Sequence, residues 1–180
     1  GPKSDVMDVD LDCREAKGLA ELILPKPFAQ FDRGTSDSGH YLYKATTCGP
    51  TKKFSGNGPK STLVELRGDG SQTMIPPSIH PDGSRLNFTD INHDAPEVEY
   101  ADLLKSVSFL AACSEGAQLW ASGQRHELAL SFSGLCLKQN VNPQLLINII
   151  QRICQTTGDR DEQDRMNCVR TSVGKPHDEL

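Results

Sequence analysis

The sequence predicts an α+β fold. A mainly antiparallel sheet with flanking helices is followed by a small helical bundle. Three observations predict the sheet and the bundle. Asp8-Val-Asp-Leu-Asp12 and Leu63-Val-Glu-Leu-Arg67 alternate apolar and charged residues, the period of half-buried strands. Short Gly/Pro turns follow closely on such segments, as between antiparallel strands. From Glu99 onward the apolar spacing becomes helical and stays so.

The first strand lies around Asp8–Asp12. Val9 and Leu11 face a core, while Asp8, Asp10 and Asp12 share the other side. Cys13–Leu24 carries Ala16, Leu19, Ala20, Ile23 and Leu24 at helical spacing, and Pro25 and Pro27 end it. Residues 28–39, with Gly, Ser and Asp, read as a loop. Tyr41–Ala45 reads as a strand, and Cys48–Ser61, rich in Gly, Pro, Lys and Ser, as a mobile loop. Leu63–Arg67 is the next strand and Gly68-Asp69-Gly70 a tight turn. Gln72–Ile75 is expected to return as a strand, stopped by Pro76-Pro77. Arg85–Phe88 forms a short strand.

Residues 89–99 are acidic and read as a linker. The chain therefore divides into a sheet part, 1–90, and a helical region, 91–180, expected to pack as a separate unit. Its helices are expected at Val98–Ser114, Arg125–Gln139, Pro143–Thr156 and Asp161–Val173, with Pro143 at a first helical position.

Composition narrows the function classes. The chain has 180 residues, 36% hydrophobic and 24% charged, ordinary for a globular protein. No apolar run approaches the roughly 18 residues of a membrane span. No apolar segment at the start suggests a signal peptide, so the expected location is cytoplasmic. The terminal His-Asp-Glu-Leu matches a retention signal that has no meaning without such a leader. Six cysteines lie scattered without a C-x-x-C pair, against zinc ribbons and redox motifs. The net charge is −5, unevenly spread. Residues 40–88 carry Lys44, Lys52, Lys53, Lys60, Arg67 and Arg85 against Glu65, Asp69 and Asp82. Residues 89–104 carry five acids and no Lys or Arg. A basic stretch beside an acidic cluster suits a polyanionic ligand; lysines that merely solubilise a loop are the plainer reading.

Like charges crowded on one strand face repel unless a cation sits among them. Asp8-x-Asp10-x-Asp12 therefore reads either as a solvated edge or as a site for Mg²⁺ or Mn²⁺, which prefer hard oxygen ligands. An EF-hand is excluded, because Cys13 and Leu19 stand where that loop needs Gly and Glu. No G-x-G-x-x-G or G-K-[S/T] occurs, against Rossmann and P-loop readings.

Taken in order, the D-x-D strand, the turn Ser38-Gly39-His40 and the acidic strand at Glu65 resemble the three motifs of the archaeo-eukaryotic primase superfamily. The closer resemblance is to bifunctional DNA primase/polymerase domains of phages, plasmids and mobile elements. Asp12-Cys-Arg-Glu-Ala16 and the run Pro76-Pro-Ser-Ile-His80 carry it, over about residues 5–90. The stretch from Gly123 to Glu127, with Asp159, Asp164 and Arg165, is similar to the helical region that often follows such domains.

The resemblance implies metal-dependent, DNA-templated nucleotidyl transfer, or a non-catalytic nucleotide- or DNA-binding replication module derived from it. It implies an N-terminal segment missing here. It further implies two Mg²⁺ or Mn²⁺ ions on Asp10, Asp12 and Glu65, with Asp8 one step outside the family spacing. His40, aided by Ser38, would contact the triphosphate, Arg67 would bind phosphate, and Ser78 and His80 would form the nucleotide-binding turn. The implied partners are NTP or dNTP, a single-stranded DNA template and a helicase domain or protein, with no membrane.

Overall fold

The computed structural model describes residues 5–34, 37–57, 62–176 and 178. Expectations for the first four residues, for Lys60 within the basic stretch, and for most of the terminal His-Asp-Glu-Leu fall outside them.

The elements run β1 (Val6–Leu11), α1 (Arg14–Ile23), β2 (Ala29–Asp32), β3 (Gly39–Thr47), β4 (Lys52–Ser55), β5 (Thr62–Arg67), β6 (Asn87–Ile91), β7 (Val98–Glu99), α2 (Tyr100–Gln118), α3 (Arg125–Lys138), α4 (Pro143–Thr157) and α5 (Glu162–Ser172). The strands form one sheet in the order β4-β5-β1-β3-β2-β6, with β7 added to β3. Every pairing is antiparallel except β3 with β7. The α+β class holds, with helices flanking the sheet.

β1 has neighbours on both edges, so its alternation decides the faces. Met7, Val9 and Leu11 are fully buried in a core shared with Tyr43, Val64, Leu66 and the helices. α1 packs on this side, with α2 and α4 against it. The opposite face holds a smaller apolar cluster of Ala29, Phe31, Leu42 and Leu86.

Four expectations need correction. Ala29–Asp32, read within a loop, is β2. Ala29 and Phe31 are buried while Gln30 and Asp32 are half-buried, a short period-two signal beside Gly- and Ser-rich residues. Lys52–Ser55, read within a mobile loop, is edge strand β4, paired to β5; residues 58–61 of that stretch lie outside the described residues. Gln72–Ile75 is not a strand. β5 already has β4 on one edge and β1 on the other, so a returning chain finds no free edge. The short strand expected at Arg85 begins at Asn87, and Arg85 makes only an isolated bridge with Ile79.

The helical region does not have a core of its own. Leu103, Val107, Leu110, Leu146, Ile149, Ile150 and Ile153 belong to the same cluster as Met7, Val9 and Leu11. α1, from the sheet half, packs against both α2 and α4, so separating the halves would strip both. The acidic stretch before α2 is also anchored. The Glu99 carboxylate accepts hydrogen bonds from Thr46 (2.8 Å) and Thr47 (3.2 Å).

α4 starts as the sequence indicates. Asn142 accepts from the Gln144 and Leu145 amides, Pro143 follows, and Gly158 closes the helix at φ 67°. The six cysteines are free. No helix among the described residues is long and apolar enough to cross a membrane.

Candidate functional site

The site grows from the register of three adjacent strands. Asp10 of β1 lies opposite Glu65 of β5 and opposite His40 of β3. Directly opposed residues share a face, so one row carries all three. Asp8, two residues earlier, lies opposite Arg67. Alternation places Asp12 beyond Asp10 on the same side.

Arg67 organises the acidic row. Its Nε donates to Glu65 at 2.9 Å and its Nη2 to Asp10 at 2.5 Å. Nη1 stands 3.8 Å from Asp8. Gly68 keeps the chain close here, because a Cβ at that position would meet the Gly49 carbonyl oxygen at 2.0 Å.

His40 is held from three sides. Phe31 stacks on its ring at 4.5 Å and 8°. Nδ1 bonds Asp8 at 3.0 Å, and Nε2 faces Asp10 at 3.7 Å. Asp8 also accepts from the Thr73 hydroxyl at 2.7 Å. Residues 71–75 therefore cross the site face, where the sequence suggested a strand.

Burial shapes the charges. It raises the Asp10 carboxyl to about 6, against the opposing pull of His40 and Arg67. It raises Asp12 as well, with Glu65 adding repulsion and Arg67 offsetting it. Burial pulls His40 down, but the Asp8 hydrogen bond and the charges of Asp8 and Asp10 outweigh it, and its pKa is raised.

These residues open onto a cavity of about 270 Å³, lined by Asp10, Asp12, Arg33, Ser38, His40, Arg67, Met74, His80 and Leu86. Six of the eight site residues expected from sequence line this cavity, and Glu65 reaches it through Arg67. Ser78 does not line it. Its amide donates to Ile75 at 3.1 Å and its carbonyl accepts from Leu86 at 3.0 Å, which shapes the turn carrying His80. His80 Nδ1 lies 3.0 Å from Asp82.

Three contributors were missed, and a fourth, Asp8, was expected only in a supporting place. Asp8, ranked outside the ligand set, is the residue that holds His40. Phe31 and Thr73 lie in segments assigned otherwise, so nothing directed them to the site. Arg33 pairs with Asp82 at 2.9 Å, and its guanidinium lies 3.5 Å from the Ser38 hydroxyl and 3.4 Å from His80 Nδ1. It joins the two His-bearing turns, and only the end of the unexpected strand β2 puts it there.

The donor set fits a hard divalent cation. Asp10, Asp12 and Glu65 present their carboxylates on one face of the sheet, and burial leaves Asp10 poorly solvated for a free anion. The charge is met here by Arg67.

Fold and cleft together describe an α+β protein with an acidic and basic cleft on one sheet face. The family model for bifunctional DNA primase/polymerase, N-terminal, matches residues 1–101. That is more than half of the chain, and the protein belongs to this family. Membership carries the general activity, DNA primase/polymerase, and with it nucleotides and DNA as ligands. No curated protein and no solved structure matches the chain.

Proposed function

We propose that this cleft performs metal-dependent, DNA-templated nucleotidyl transfer, as primer synthesis or extension, in phage, plasmid or mobile-element replication. The observation that carries the reading is the row Glu65–Asp10–His40 across three neighbouring strands, with Asp12 beside it and two arginines facing the same cavity. Asp10, Asp12 and Glu65 would hold Mg²⁺ or Mn²⁺. A cation bound there supplies charge neutralisation at the transferring phosphate and lowers the pKa of the attacking hydroxyl.

The chain's own residues do the rest. Arg67 is the counter-ion of the acidic row while it is unliganded. Released from Asp10 and Glu65, its planar fork is free to take a phosphate in two bonds. His40, fixed by Phe31 and Asp8, presents a donor to the triphosphate. Ser38, Arg33 and His80 line the far wall, where a nucleotide's phosphate end would rest. Lys44 and Lys53, on the cleft side of the sheet, offer sequence-independent contacts to a template backbone.

One observation favours a second reading. Arg67 already satisfies Asp10 and Glu65, as it would in a sheet that binds nucleotide or DNA without chemistry. The deciding experiment is primer extension and de novo synthesis on single-stranded DNA with Mg²⁺ or Mn²⁺. It uses the full gene product, wild type against Asp12→Ala. Synthesis lost in the variant supports the enzyme. Synthesis that survives puts the chemistry elsewhere. A folded but inactive wild type, with every metal and nucleotide, moves the reading to the binding module.

A further inference from the structure

Far from the cleft, α3 and α5 pack closely, and one spot between them gathers three metal-ligating side chains. His126 lies in the first turn of α3. Asp164 and Cys168 lie four residues apart on α5, hence on one face of that helix. One donor atom from each lies within 4.8 Å of the other two. His126 Nδ1 is 2.8 Å from Asp164 Oδ2 and 3.9 Å from Cys168 Sγ.

The geometry excludes a Cys-His-Asp relay. A relay uses both ring nitrogens, the acid on one and the nucleophile on the other. Here carboxylate and sulfur approach the same nitrogen. Three donors converging on one point are instead what a shared cation needs. In a tetrahedral shell with metal–sulfur bonds of about 2.3 Å and metal–nitrogen or –oxygen bonds of about 2.0 Å, neighbouring donors stand about 3.3–3.6 Å apart. The observed spacings bracket that value, so small side-chain rotations suffice.

We propose that His126, Asp164 and Cys168 form a Zn²⁺ site that clips α3 to α5. The donor chemistry selects the metal. Thiolate with imidazole favours Zn²⁺, whereas Mg²⁺ and Mn²⁺ take oxygen ligands like those of the cleft. The Cys168 sulfur lies 3.5 Å from the Asp164 carbonyl oxygen and 4.0 Å from that of His126, either of which can accept the thiol proton. On binding, that proton leaves to solvent and His126 carries its own on Nε2. Arg165 also contacts the Asp164 carboxylate, but it does not depend on it. Its Nε bonds Asp159 at 3.0 Å and its Nη2 lies 3.5 Å from Asp161. His126 and Asp164 are about half exposed, so water can complete the shell.

The test is anaerobic titration of the full chain with Co²⁺, followed by Zn²⁺ competition. One equivalent of Co²⁺ should give a thiolate-to-cobalt charge-transfer band that Zn²⁺ abolishes. Cys168→Ser should remove the band. His126→Gln should weaken Zn²⁺ more than about a hundredfold, since even changes behind a metal's ligands cost 10–100-fold. Asp10→Asn should leave the band intact, separating this site from the cleft. No thiolate band in the wild type, or a band that survives Cys168→Ser, overturns the proposal. Should Cys168→Ser fail to fold, zinc-edge X-ray absorption on the wild type decides. One sulfur in the shell supports the site, and a shell of nitrogen and oxygen alone overturns it.

Discussion

Asp10 is the residue on which charge and burial meet. Its carboxyl is raised to about 6 mainly by burial, so its proton competes with a cation across mildly acidic pH. Mn²⁺ affinity should therefore rise with pH and level off above about pH 6, close to tenfold per unit on the steep side. Isothermal titration across pH 5–8 checks this, and a flat profile would place the cation away from Asp10. The sign for stability is the reverse. A carboxyl raised from 3.8 to about 6 contributes stability that is full below pH 3.8 and lost as pH rises through 6. His40, also raised, holds its contribution below 6.5 and loses it as pH rises through its folded value. The metal-free protein should thus lose thermal stability as pH rises from about 4 through 6, and further as His40 loses its proton. Mn²⁺ should restore more of it at each step. His40→Ala should weaken nucleotide binding more than Mn²⁺ binding, measured by separate titrations; equal losses would deny it a phosphate role.

Strand pairing turns single residues into a site. β5 lies between β4 and β1, and this alone decides that residues 71–75 cross the cleft and bring Thr73 to Asp8. Gly68→Ala should cost on the order of 1–3 kcal/mol, because the new Cβ meets backbone and no flexible side chain can yield. Urea denaturation measures it. Among the helices, a second buried cluster has a different task. Asp159 accepts from Trp120 Nε1 and from Arg165, both at 3.0 Å, with Arg125 at 3.5 Å. Asp159→Ala would leave Arg165 without its buried partner, and a loss of about 3 kcal/mol is expected. Loss below about 1 kcal/mol in the same denaturation experiment would show that solvent already screens the pair.

One apolar cluster spans the sheet and the helices, and the two are expected to unfold together. Sheet residues and helix residues bury the same apolar surface, with α1 between them. Trp120, the single tryptophan, is buried where the helical region meets the start of α1. Its fluorescence and the far-ultraviolet dichroism should lose signal in one coincident transition. Two separated midpoints would restore the picture of independent halves. Sharing a core also ties the cleft to the helices, since Met7, Val9 and Leu11 alternate along β1 with the aspartates.

Much of this was legible in the chain itself. The alternation Asp8-Val-Asp-Leu-Asp12 and Leu63-Val-Glu-Leu-Arg67 determined both strands and which side chains share a face, because the period of two is a local property. The four helices after Glu99 were equally local, each with its own apolar spacing. The order of motifs pointed to the family. Tertiary structure alone decided the pairing order, and with it that Asp10 faces Glu65 on one side and His40 on the other. It made short segments such as Lys52–Ser55 into strands, because edges elsewhere in the sheet needed partners. It placed Arg67 between two acids, Phe31 under His40 and Arg33 at the far wall. It also merged two apparent cores into one. Such contacts join residues tens of positions apart, and the free energy of burying them belongs to the assembled surface and to no segment by itself.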